Sequence, residues 1–215
     1  MRDEQADLDH LAAQGALIAY FGYGSLVNPA THRTPVLGYA PARLRGWRRS
    51  WVARPGGYEG QRIALLSASP DGSNGFLEGL VVFDHASSLA ALDEREAGYR
   101  RVELDRHDID GDVAIPDGCP LYVYEALNPG DRPISSAILQ SYLDAVLQGY
   151  AAMHGRDAVD RFMAITDNFD TPILSDRADP LYPRAVQLSD GQRAHIDAVT
   201  ASLAWIDELR LLPNF

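Results

Sequence analysis

One cysteine, Cys119, is all the chain carries, so no internal disulfide can form. That usage fits a reducing compartment. Paired metal ligands are missing too. The six histidines, at 10, 32, 85, 107, 154 and 195, never fall at helical ligand spacing, and there is no HExxH. Asp108-Ile109-Asp110-Gly111-Asp112 starts like a calcium loop, but its glycine comes early and Cys119 stands where the bidentate Glu belongs. A hairpin turn is expected there, and no metal. Basic charge is scarce: Lys+Arg 19 against Asp+Glu 30, a net −11. So acidic a chain is a poor partner for nucleic acid or an anionic membrane. The one basic stretch, Arg43 to Arg49, alternates with apolar residues and reads as a solvated strand face. No apolar run reaches the ~18 residues of a membrane span. The polar start, Met1-Arg2-Asp3-Glu4-Gln5, lacks the apolar stretch of a signal peptide. A cytoplasmic protein is expected, with no nucleic-acid or membrane partner; oligomeric state is not legible.

What is present is enough apolar residue, 46% of 215, for one sizeable core or two small ones. Residues 1–14 read as a short peripheral helix. Strands are expected at 17–22, 43–53, 63–67, 76–84, 99–109 and 120–127, with loop at 30–41 and a hairpin connection at 70–75. A short helix, capped by Asp84 or Ser87, is expected over 86–96 and ended by Gly98. From Ile138 the period becomes helical, through Leu139, Tyr142, Leu143, Val146, Leu147 and Tyr150, with Ser135 as cap and Gly155 as stop. Further helices are expected from about Asp157 to Ile165 and from Ser189 through Ile196, Val199, Leu203, Ile206 and Leu209. Strands early and helices late indicate an α+β fold, an antiparallel sheet or small barrel with helices to one side.

The chemistry is concentrated in two places. The first is Tyr20-Phe21-Gly22-Tyr23-Gly24-Ser25-Leu26-Val27-Asn28-Pro29, an apolar strand broken by glycines. Such a turn can aim several amide N–H groups at one oxyanion or carboxylate. It is no dinucleotide fingerprint, since Val27 replaces the third glycine. It is no nucleophile elbow either, since Tyr23 and Val27 flank Ser25 at the glycine positions, so Ser25 is not expected to attack a substrate. The second place is Leu92-Asp93-Glu94-Arg95-Glu96. At ~100° per residue, Glu96 falls between Leu89 and Leu92 on the buried stripe and Glu94 on the solvated side. A desolvated carboxylate can take and return a proton near neutrality. The competing reading is a frayed helix end, with Glu96 solvated or paired to Arg100 or Arg101.

These segments resemble the gamma-glutamyl cyclotransferase family, especially its ChaC-like branch. Phe21 to Leu26 is similar to the family's YGSL/YGSN substrate loop, and Arg45-Gly46-Trp47-Arg48-Arg49 to the strand after it. Leu92 to Glu96 with Gly98-Tyr99 resembles the LDxRE..GY segment, and Ile138 to Leu143 a late helix. The resemblance implies a small mixed barrel with flanking helices, a single domain over 1–215 with its core at about 17–155. It implies release of 5-oxoproline from a small-molecule gamma-glutamyl amide, without a cofactor. It assigns the acid/base to Glu96 and substrate binding to Tyr23, Gly24, Ser25 and Leu26, with Tyr124 lining the pocket and Tyr122 next in line. Residues 156–215 extend beyond the short family members. Their proline-bearing loop is a candidate lid, and Arg184 a candidate partner for a substrate carboxylate. Three readings compete: a non-catalytic binding module, an interaction protein using its acidic helix, and a cyclotransferase for a gamma-glutamyl amine or biosynthetic intermediate.

Overall fold

The apolar run at Leu17–Gly22 becomes strand β1, buried along its whole length. It is buried because it lies inside a sheet, antiparallel to β5 (Phe76–His85) and parallel to β8 (Leu121–Ala126). A strand covered on both faces reads as a continuous apolar run, as this one does. The computed structural model describes residues 2–32, 35–54, 62–72, 75–128, 133 and 136–208. A helix, α1 (Arg2–Ala13), precedes β1. The main sheet is completed by β2 (Gly38–Arg45), β6 (Tyr99–Glu103) and β7 (Ile109–Asp110), in the order β6-β8-β1-β5-β2-β7.

A second sheet joins β3 (Trp47–Ala53) to β4 (Ala64–Pro70), with the short β10 (Thr166–Asp167) alongside β3. It is tied to the main sheet by Gly46 N to Gly75 O, 2.9 Å, and by Ala126 N to Ser67 Oγ, 3.0 Å. The third sheet aligns β9 (Ile138–Leu139), β11 (Ile173–Leu174) and β12 (Trp205–Ile206) in parallel. The helices are α2 (Leu89–Arg95), α3 (Gln140–His154), α4 (Ala158–Ile165) and α5 (Asp190–Thr200). The fold is mixed α+β, and among the described residues no sheet closes on itself. Trp51, Tyr150, Phe21 and Phe162 are the largest fully buried apolar side chains of a core shared by the sheets, α3 and α4.

Several expected elements shift. The loop at 30–41 gives way to β2 from Gly38, with Pro41 tolerated opposite Leu80 where β7 does not reach. The strand expected at 43–53 is two strands in two sheets, broken at Gly46. The 70–75 connection is no hairpin, because β4 and β5 belong to different sheets; its Ser73 and Asn74 lie outside the described residues. Ile109 and Asp110 form an edge strand on Arg43 and Leu44 instead of a turn. Ile138 and Leu139 are β9 rather than the first turn of α3, and Ser135 lies outside the described residues. The first turn of α3 is satisfied from the extension: Asp176 accepts from Ser141 N at 2.8 Å and Ser141 Oγ at 2.5 Å. The last helix begins on a Ser189–Gln192 capping box but stops at Thr200, where Trp205 Nε1 donates to Thr200 O. Ile206 then pairs in β12, and Leu209 lies outside the described residues.

Candidate active site

Where β1 ends, the chain makes two short 3-10 turns, Ser25–Val27 and Pro29–Thr31. α3 lies directly against them. At Gly149 a Cβ would meet Asn28 N at 2.8 Å, so only glycine lets the helix come so close. Gly24 meets the same condition from the other side: its Cβ would sit 2.8 Å from Tyr142 Oη. Asn28 secures the turn by donating from Nδ2 to Ala145 O at 2.8 Å and by accepting from Ala30 N through Oδ1. The first amides of such a turn have no backbone partner inside it. Gly24 N and Leu26 N find no acceptor among the described residues, while the backbone of Ser25 reaches the Tyr142 hydroxyl.

Behind the turn lies Arg49, fully buried on β3. Its Nη1 donates to Tyr23 O at 3.2 Å and to Tyr150 Oη at 2.5 Å, and its Nε to Thr166 Oγ1 at 2.8 Å. Its guanidinium carbon stands 3.7 Å from the Phe162 ring centre. Tyr150 Oη is itself 2.8 Å from Tyr23 O. Burial pushes the Tyr150 hydroxyl up to about 12, with Arg49 pulling the other way.

Glu96 stands just past the end of α2, with φ −93° and ψ 28°. Its N–H still bonds Leu92 O at 3.0 Å, so the helical geometry behind the sequence reading extends to this residue. The side chain is 15% exposed, whereas Glu94 is exposed. It is not alone: Arg95 Nε donates to Glu96 Oε1 at 2.9 Å, from a side chain only 6% exposed. Arg100 pairs with Glu125 and Arg101 with Asp93. Arg95 also donates to Thr31 O at 3.1 Å, and Thr31 Oγ1 donates to Ser25 O at 2.7 Å. Three hydrogen bonds thus connect the glycine turn to the carboxylate.

A cavity receives both. Tyr23, Gly24, Ser25, Leu26, Glu96 and Tyr124 all line it, together with Tyr99 and Tyr142. It opens into a chamber of about 110 Å³ that also holds Ser25 and Glu96 and reaches Arg54, Tyr182 and Arg184. Tyr23 Oη donates to Tyr124 O at 2.5 Å, and Tyr99 Oη to Leu66 O at 2.7 Å, which fixes both rings as walls. Burial raises the Tyr23, Tyr99 and Tyr142 hydroxyls well above the ordinary tyrosine value, and nearby Glu96 adds to each rise. Tyr124 reaches the site through its ring, since its hydroxyl donates to Asp93 Oδ1 at 2.6 Å. Tyr122 lies instead beneath the Arg101 guanidinium, 4.8 Å from its ring centre.

Sequence reasoning passed over Arg54, Arg95, Tyr99, Tyr142 and Tyr182 as site residues. Tyr142 was hidden by its place in an apolar helical repeat. Among the described residues no group of three or more His, Cys, Asp or Glu could hold a metal, and no helix is long and apolar enough to cross a membrane.

No family model matches the chain, and no curated protein matches it. Among solved structures it is similar in fold to YkqA from Bacillus subtilis, with TM-score 0.50 and 19% identity over 72% of this chain and 56% of that one. A structure named gamma-glutamyl cyclotransferase overlaps at TM-score 0.49 and 16% identity, covering 85% of this chain and 99% of that one. A yeast gamma-glutamyl cyclotransferase specific to glutathione overlaps at 0.41 and 14%, over 86% and 96%. The last two overlaps are too loose to bear on residues or substrate.

Proposed function

We propose that the chain is a gamma-glutamyl cyclotransferase, releasing 5-oxoproline and a free amine from a small gamma-glutamyl amide. The observation that carries this is the meeting of Glu96 with the Tyr23–Leu26 turn in one tyrosine-walled cavity, joined through Arg95 and Thr31. The substrate brings its own nucleophile. Its α-amine attacks the γ-carbonyl when the glutamyl chain is bent, closing a five-membered lactam. Holding that bend is a proximity effect, worth on the order of 7 kcal/mol or more in ideal cases.

Glu96 takes a proton from the attacking amine and returns it to the leaving nitrogen as the amide bond breaks. Arg95 Nε, donating to Oε1, holds the acid in its direction. The turn amides, Gly24 and Leu26 foremost, offer donors to the oxyanion of the tetrahedral intermediate. One such donor is typically worth about 3–4 kcal/mol. Ser25 contributes backbone, Tyr124 a wall, and no side-chain nucleophile takes part. Membership of the ChaC-like branch and the single domain belong to the same proposal. Purified protein incubated with glutathione and a panel of gamma-glutamyl compounds should release 5-oxoproline; ligand binding without product over hours would replace the enzyme with a binding module.

A further inference from the structure

Away from the cleft, α3, α4 and α5 border a second cavity of about 200 Å³. It shares no lining residue with the cleft. Its floor is apolar: Ala151 on α3, the fully buried Val159 on α4 and the buried Ile196 on α5. Its polar lining is Gln148, Arg156, Gln192 and His195, and among the described residues no acid lines it.

These polar groups have donors to spare. Arg156, in the turn between α3 and α4, donates from Nη2 to His195 Nδ1 at 3.3 Å. Among the described residues it pairs with no acid, so most of its five N–H donors are uncommitted. A guanidinium cannot accept, so His195 Nδ1 is the acceptor and the ring hydrogen sits on Nε2. That Nε2 is buried without a hydrogen-bond partner. Gln192 spends its Oε1 on Ser189 N and Gln148 Nε2, while its own Nε2 meets no acceptor among the described residues. Buried donors left unmet are costly, and folded proteins rarely keep them. Donors without acceptors over an apolar floor suit an anion with an apolar body.

The cavity also has a route to the glycine turn. Gln148 Oε1 accepts from Asn28 Nδ2 at 3.0 Å, and its Nε2 donates to Gln192 Oε1 at 3.4 Å and to Gln187 O at 2.9 Å. Asn28 in turn fastens the glycine turn to Ala145 O. A displacement of Gln192 has one side chain to cross before it reaches Asn28.

We propose that this cavity is a second ligand site, that it takes a small carboxylate with an aliphatic body, and that its occupation is felt at Asn28 through Gln148. The Arg156 fork binds the carboxylate, and Val159 and Ile196 receive the aliphatic end. The volume lies below the ~300–1,000 Å³ of drug-sized sites, which limits the ligand to a short chain. The binding calls on no residue of the cleft, so it stands apart from the cyclotransferase reading.

Isovalerate and isovaleramide share a shape and differ in charge, and acetate keeps the charge without the body. Each is titrated into the isotopically labelled full chain and followed by amide NMR spectra, which separates this cavity from the arginines of the cleft. Isovalerate is expected to move the Gly191, Gln192 and Ile196 amides with a Kd about tenfold below those of isovaleramide and acetate. Arg156→Gln should remove the preference over isovaleramide, and Arg156→Lys should restore part of it. Ala151→Leu, which fills the floor, should abolish isovalerate binding without altering thermal unfolding. The Asn28 side-chain amide should respond with the same Kd in the wild type and stay still in Gln148→Leu, where Gly191 still moves. No shift at Gly191, shifts confined to Ala97 and Tyr99 in the cleft, one Kd for all three compounds, or an undiminished preference in Arg156→Gln overturns the site. Movement at Gly191 with a still Asn28 in the wild type overturns the coupling.

Discussion

The two walls of the cleft are held in different ways. The turn over residues 22–28 is fixed by close packing: α3 touches it at Asn28 through Gly149, Tyr142 lies at Gly24, and Arg49 is buried behind it. The 175–184 segment rests more on hydrogen bonds, those Asp176 accepts from Ser141 on α3 and from Leu181 N, with Tyr182 alone packed against Tyr142. Packing resists any change of shape, whereas a hydrogen-bonded strap yields when one partner is removed. The inner wall is thus suited to the chemical step and the outer wall to substrate choice. Substitutions in the first should lower kcat and those in the second should raise KM.

The largest effect is expected at the acid. Glu96→Gln should reduce 5-oxoproline release by about 10²–10⁴-fold with unchanged thermal unfolding. Comparable turnover by the variant would remove Glu96 from proton transfer. Gly24→Val should follow at about 10²-fold, because its Cβ displaces Tyr142 Oη and the misplacement propagates to the reacting atoms. Combining it with Tyr142→Phe, which removes the clashing oxygen, should recover part of the loss in a kcat measurement.

Asp176→Ala should lower the unfolding free energy read from urea denaturation by about 1–2 kcal/mol and raise KM severalfold while kcat holds. A fall in kcat with constant KM would erase the distinction between the walls.

The smallest effect concerns pH. Burial lowers His32 and His154 below the ordinary histidine value of 6.5. The folded state then binds fewer protons than the unfolded one, so their contribution is complete above about 6.5 and declines as pH falls below it. His154→Gln, remote from the cleft, should flatten the loss of thermal stability between pH 7 and 5 without altering KM.

The sequence was most legible where one residue type answers one local demand. Leu17–Gly22 reads as a buried strand, and Gly155, at φ 83°, as a helix stop. Glu96 could be assigned to the inner face because its N–H keeps the last helical bond. Elements settled by distant partners were not legible. Ile138 and Leu139 fit a helical repeat as well as a strand, and only Ile173 and Leu174 alongside decide between them. Asp176 carries no local sign that it will satisfy the first turn of α3. Arg95 was passed over because its value lies in reaching Thr31 on a separate loop.

Arg49 has an effect beyond filling the core. A trans peptide sends its carbonyl and its amide hydrogen in opposite directions. By grasping Tyr23 O from behind, the guanidinium turns the Gly24 N–H away from itself. Under the proposed mechanism that donor is oriented before any ligand arrives, and the same positive charge underlies the segment that would meet developing negative charge.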